Sequence, residues 1–83
     1  MIYIKKIKDG ENSISFCLDG VIDEESIATV EDVCHPHIGR KEIILDLEGI
    51  SHITREGREF LRKLQNNITI LNLPAFINLN TKK

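Results

Sequence analysis

The sequence predicts a two-layer α/β fold in which helices pack mainly on one face of a mixed four-stranded sheet. Three patterns predict it: strict alternation of apolar and polar residues near the start, a short apolar run at 43–47, and two segments of helical spacing around that run. A strand, helix, strand, helix, strand order implies parallel neighbours with right-handed crossovers, which place both helices on one face. The predicted order is ββαβαβα over a single domain, 1–83.

The first two strands form an antiparallel hairpin. Residues 2–7 are mostly β-branched or aromatic and lead into Asp9-Gly10, a strong hairpin signal. The next segment, Ser13 to Leu18, alternates, so that one face carries Ile14, Phe16 and Leu18. Gly20 is expected to end this second strand.

A first helix follows. Asp23 is a good capping residue, and an apolar stripe continues through Ile27, Val30 and Cys34. The helix should end near His35-Pro36-His37, because proline removes a donor and disfavours helix at the preceding residue.

The central strand is predicted at Ile43 to Leu47, followed by a loop over 48–53. Thr54 then caps a second helix that ends at Asn66-Asn67. Gly57 within that helix costs about 1 kcal/mol relative to alanine, so we expect the helix to cross the central strand closely at this point.

The last predicted elements are a fourth strand and a short helix. The strand is expected over Ile68 to Leu73, and Pro74 suits the first turn of a helix over Ala75 to Asn80. The second, third and fourth strands are expected to be parallel.

Composition narrows the functional classes. A net charge of -2 disfavours nucleic acid as a partner, and no apolar run approaches the ~20 residues of a membrane span. The charges of the first six residues follow the apolar ones, opposite to a signal peptide, so a cytoplasmic protein is expected. Two cysteines fall short of a disulfide framework, and reduced thiols are expected.

One segment, Leu18-Asp19-Gly20-Val21-Ile22-Asp23, leads into the first helix, and another, from Ile43 to Gly57, contains the central strand, the loop after it and the start of the second helix. Together these two segments resemble the STAS domain family, which includes anti-sigma factor antagonists and the cytoplasmic tails of sulfate transporters. The resemblance extends over roughly 16–79. It implies a bacterial type of signalling module without catalysis, which binds a kinase-like anti-sigma factor or another protein and is switched by phosphorylation at the start of the second helix.

The sequence departs from the family at the phosphorylated position. With Gly57 as the anchor, Thr54, Arg55 and Glu56 fill the preceding positions, and Arg55 stands at the acceptor. An arginine has no hydroxyl, so the resemblance implies binding without this switch. Thr54 is a weak alternative acceptor, because a capping hydroxyl already has a structural role.

The resemblance also implies where a partner binds, since the second helix and the loop before it form the family's contact surface. The candidate interface residues are Ser51, His52, Thr54, Arg55, Glu56, Arg58 and Arg62. The alternative for the basic residues is that they form a solvated helix face and bind no partner. Self-association is a further expectation, because a two-layer domain leaves one sheet face and an edge strand uncovered.

Two other functional hypotheses compete with protein binding: a small-molecule sensor and a metal site. An anion or small-molecule sensor could use the strand carboxyl ends near Asp19, Gly20, Asp46 and Thr54, with Asp46 and Asp23 expected at the same end of the sheet.

A metal site at Cys34, His35 and His37 is disfavoured by their close spacing, so no metal and no cofactor is expected. No paired acid and base, nucleophile elbow or glycine-rich phosphate loop indicates an enzyme.

Overall fold

The computed structural model describes residues 1–75 and contains the predicted mixed sheet. In chain order its strands and helices are β1 (Ile2–Asp9), β2 (Ser13–Ile22), α1 (Glu24–Cys34), β3 (Glu42–Ile53), α2 (Arg55–Leu64) and β4 (Thr69–Leu71), with a 3₁₀ turn at His35–His37. The predicted last helix, 75–80, lies outside the described residues except for Ala75, which is in a turn.

The sheet order is β1-β2-β3-β4, with β1 antiparallel to β2 and the other neighbours parallel. This confirms the predicted fold class. One lateral row of paired residues crosses all four strands, namely Lys5, Cys17, Asp46 and Leu71. Among residues 1–75, no helix has the length and apolar character to cross a membrane.

The core lies between the sheet and both helices. Alternate residues of β2 and β3 supply most of it, and α1 and α2 cover it from the same side. Its buried apolar members are Ile14, Phe16, Leu18, Ile22, Val30, Cys34, Ile43, Leu45, Leu47, Ile50, Ile53, Leu61 and Ile68. In α1 the buried row is Ser26, Val30 and Cys34, whereas Ile27 of the predicted stripe is only half-buried.

Both central strands are longer than predicted, and the expected loop over 48–53 is strand. The reason is that β3 carries two bulges opposite β2. One extra residue lies between Asp46 and Gly49, and a second lies between Ile50 and His52. Each bulge adds a residue, so the spacing of the buried side chains changes from two to three and no longer resembles a strand.

Gly20 does not end β2, contrary to the prediction. It adopts φ +106, a conformation that glycine tolerates, and the strand continues to Ile22. A Cβ at Gly20 would lie 2.5 Å from the carbonyl oxygen of Met1, which also accepts a 3.0 Å hydrogen bond from Val21 N. The glycine therefore allows the first residue of the chain to lie against β2.

β4 is shorter than the predicted 68–73. Only Thr69–Leu71 pairs with β3, and Asn72 then adopts φ 54, which turns the chain away from the strand direction.

Candidate interaction surface

The two helices begin side by side at the carboxyl end of the central strands. Ile22 is paired with Ile53, and the residues that follow them, Asp23 and Thr54, are the caps of α1 and α2. Both capping predictions are confirmed. The positive ends of two helix dipoles therefore lie at one edge of the sheet.

Thr54 ties the start of α2 to the end of β2. Its backbone N–H donates to the carbonyl oxygen of Ile22 at 2.9 Å, and its hydroxyl donates to the same oxygen at 3.3 Å. The hydroxyl oxygen also accepts from Gly57 N at 3.1 Å, which satisfies an otherwise unpaired donor of the first turn. This hydroxyl is thus fully engaged in the fold.

Gly57 allows the close approach that the sequence predicted. A Cβ there would meet the carbonyl oxygen of Ile22 at 2.6 Å and methyl groups of Ile22 and Ile53 at 2.9 and 3.1 Å. The helix therefore packs on the ends of both central strands, rather than on β3 alone. A side chain at this position would push α2 away from the sheet.

Asp23 and Ser26 form a second polar anchor. Asp23 Oδ1 accepts from the backbone N–H of Ser26 at 2.9 Å. The Ser26 hydroxyl lies 2.8 Å from Asp23 Oδ1 and 2.8 Å from the carbonyl oxygen of Val21, so its one proton is shared between these two acceptors. These bonds, first of all the one from the backbone N–H, hold the pKa of Asp23 below its ordinary value. Sequence reasoning missed the buried Ser26, although a serine three residues after a capping aspartate is a usable signal.

Four predicted interface residues are exposed around this anchored helix start: Ser51, His52, Arg55 and Glu56. The Ser51 hydroxyl donates to the carbonyl oxygen of Gly20 at 3.1 Å and so links β3 to β2 across the second bulge. Arg55 occupies the first turn of α2, where a cation opposes the helix dipole. Arg55 therefore slightly destabilises the helix. Its side chain is exposed to solvent.

Arg58 and Arg62 differ from Arg55, because both are half-buried along the side of α2. Arg62 is 3.1 Å from Glu59 in an ion pair, and its Nε is buried without a hydrogen-bond partner. The exposed ridge of the helix instead carries Arg55, Glu56, Glu59 and Lys63. The predicted residues thus divide into an exposed group at the helix start and a half-buried pair further along.

The residues of the sensor hypothesis are not brought together. Asp46 lies in the middle of β3 rather than at its end, so the prediction that Asp46 and Asp23 share one end of the sheet is wrong. Its Oδ1 accepts from Glu48 N at 3.0 Å and from Asn72 Nδ2 at 2.9 Å. Asp19 extends over Gly49, into the space that a Cβ there would fill.

Two surface cavities among residues 1–75 have linings that include none of Asp19, Gly20, Asp46 and Thr54. One of about 350 Å³ is at the far ends of the helices and is lined by Glu31, Asp32, Cys34, His35, Ile38 and Leu64. The other, of about 250 Å³, is lined by Met1, Ile2, Glu25, Ser26 and Thr29.

The cysteine and the histidines around the end of α1 lie in different environments. Cys34 is buried, and burial raises the pKa of its thiol to about 11, which keeps it protonated. His35 is exposed, and the ring of His37 lies 6.2 Å from that of Phe16. Within residues 1–75, no group of three or more His, Cys, Asp or Glu side chains has the arrangement to hold a metal ion.

Comparison with known proteins gives a fold but no family. No family model matches the chain, and no curated protein matches it significantly. The crystal structure of a protein called Mglu matches with a TM-score of 0.66 and 22% identity over 88% of this chain. The chain spans only 20% of the length of the Mglu chain, and at this identity the likeness shows the fold alone.

Proposed function

We propose that this chain is a non-catalytic protein-interaction module of the STAS type, which binds its partner through the exposed start of α2. The observation that carries the proposal is the combination of a rigid anchor and an exposed polar patch. Thr54 and Gly57 hold the helix start against β2 and β3, while Ser51, His52 and Arg55 face solvent beside it.

The hydroxyl groups of this region support binding rather than chemistry. The Thr54 hydroxyl donates and accepts within the fold, and the Ser51 hydroxyl bonds the Gly20 carbonyl. At the position where the family carries its phosphate acceptor stands the guanidinium of Arg55. The proposed partner is a cytoplasmic signalling protein, such as a kinase-like anti-sigma factor, and its binding is constitutive.

The docking surface is tested by reversing the charge of Arg55. We expect Arg55→Glu to weaken partner capture from the native host by about tenfold or more, because the reversed charge repels an acidic partner surface. Lys63→Glu is the matched control, since Lys63 is exposed at the other end of the same helix. Quantitative affinity capture with all three proteins would contradict the proposal if they retain the same partners equally.

Unfolding cannot explain a loss of binding by Arg55→Glu. A carboxylate in the first turn of α2 favours the helix dipole, so its melting temperature should equal or exceed that of the wild type. Thermal melts of both variants check this point.

The missing switch has its own test. With a purified partner kinase, Arg55→Ser should become phosphorylated at position 55, because the substitution restores a hydroxyl where the family carries its acceptor, and a phosphate at a helix start is stabilised by the free N–H groups. The wild-type chain should take up no phosphate. Phosphate on Thr54 of the wild type, located by mass spectrometry, would contradict the proposed constitutive binding.

A further inference from the structure

We infer that the sheet face opposite the helices binds a second copy of this chain, with Lys5 of each copy against Asp46 of the other. This face, here called the open face, consists of the side chains that alternate with the core residues along β1, β2 and β3. In residues 1–75, no helix or strand covers it. Its central residues are Lys5, Lys8, Ser13, Ser15, Cys17, Ile44 and Asp46.

The open face has a basic side, a neutral middle and an acidic side. β1 contributes Lys5 and Lys8, and β3 contributes Glu42 and Asp46. The β2 residues between them are the small, uncharged Ser13, Ser15 and Cys17, while Asp19, farther along β2, extends over Gly49 of β3 and so adds to the acidic side.

The pKa of the Cys17 thiol reflects the charges on both sides of the open face. Burial and then the nearby carboxylates of Asp19, Asp46 and Glu48 raise the pKa of its thiol, while Lys5 lowers it. Cys17 therefore lies on the boundary between the basic and acidic sides.

This arrangement is complementary to itself. A two-fold axis running along β2 between two stacked sheets places β1 of each copy over β3 of the other, because both strands lie about 4.8 Å from β2. Lys5 and Asp46 belong to the same lateral row, so each lysine meets the other copy's aspartate, twice per dimer. Cys17, also in that row, faces its own counterpart across the axis, with the two backbones about 10 Å apart and the thiols projecting toward each other.

Self-complementarity selects a second copy over other partners. A basic partner would be repelled by Lys5 and Lys8, and an acidic one by Glu42 and Asp46. Only a surface with both signs, spaced as on this face, matches it. The dimer leaves α2 exposed on both outer sides, so its formation is independent of the docking surface proposed above.

The experiment measures the dimer dissociation constant by sedimentation equilibrium. We expect a concentration-dependent dimer that weakens at high salt, because the pairs lie near solvent. Lys5→Glu and Asp46→Lys should each weaken it by about tenfold or more, and the double variant should restore it, since the charges are exchanged but still opposite. Asp46→Asn, which keeps the acceptor oxygen for Glu48 N, should weaken it without loss of fold.

Lys6→Glu is the matched control. Lys6 is the neighbour of Lys5 on β1, but it pairs with Phe16 and so lies on the helix side. Its reversal should leave the dissociation constant unchanged.

Cross-linking tests the geometry. Mild oxidation should join the two copies by a disulfide between the facing Cys17 thiols, and Cys17→Ser should abolish the product, since Cys34 is buried. A monomer at every concentration, or a dimer that is indifferent to Lys5→Glu and Asp46→Lys, would overturn the inference. A dimer broken by Arg55→Glu instead would place the contact at α2 and would also overturn it.

Discussion

The two halves of the β2–β3 pair differ in the spacing of their buried residues. In the regular half, which starts at Ser13 and Glu42, every second residue is buried and the residues between are half-buried or exposed. In the bulged half, from Gly49 to Ile53 on β3, the buried residues are three apart and the partner strand contains Gly20 at positive φ. The core is continuous through both, so burial persists where periodicity does not.

The difference also separates the two proposed surfaces. The regular half carries the charge row of the open face, whereas the bulged half ends in the caps that fix both helices. Extra residues in β3 re-aim its end, which is a common use of bulges near functional sites.

The largest expected effect tests whether the bulged half is as well packed as the regular half. Leu45→Ala and Ile53→Ala should each lower the free energy of unfolding by about 2–5 kcal/mol, because both side chains are buried. Ile38→Ala, at an exposed apolar residue, is the control. Denaturant unfolding that shows Ile53→Ala to be as mild as Ile38→Ala would mean that this half behaves as a loop.

A smaller loss is expected where α2 meets the bulged half. Gly57→Ala should destabilise by about 1–2 kcal/mol, because overpacking against Ile22 outweighs the better helix propensity of alanine. Gly10→Ala, whose Cβ would be in ordinary contact at 3.6 Å, is the control. A stabilising Gly57→Ala, measured by chemical denaturation, would show that the helix can move away from the strands.

Within the first bulge, Gly49 and Asp19 should be energetically coupled. Gly49→Ala forces the Asp19 side chain out of its position, at a cost of about 0.5–1.5 kcal/mol. In an Asp19→Ala background the cost should be smaller, because the displaced carboxylate is gone. A double-mutant cycle with additive effects would contradict this packing.

The smallest expected effect is on how the stability of the fold depends on pH in the acidic range. Because the folded pKa of Asp23 is lowered, its contribution is present above the ordinary pKa of about 3.9 and is lost as pH falls through the folded value. Asp23→Asn keeps a capping oxygen but does not titrate, so its stability should fall less steeply with acid. Thermal melts across this pH range check it, and equal slopes for the two proteins would count against the cap.

Particular residues show what the sequence could predict. Asp23 and Thr54 are local signals, and both caps were predictable from residue type and neighbours. The strand over 48–53 was not, because a bulge depends on pairing with β2 and disguises the period. The half-burial of Arg58 and Arg62 likewise depends on how closely Gly57 lets α2 approach the sheet. The Lys5 and Cys17 row was not predictable, because a bulge between Lys6 and Lys8 shifts by one residue the register that the hairpin at Asp9-Gly10 sets.

The brevity of β4 has a consequence for solubility. Its three residues pair only as far as Asp46, so on that side of β3 the stretch from Leu47 to Ile53 has no partner strand among residues 1–75. A straight strand with a free edge is a template for aggregation. Here the free edge is the bulged one, and its uneven N–H and C=O spacing makes it a poor match for a strand of another chain.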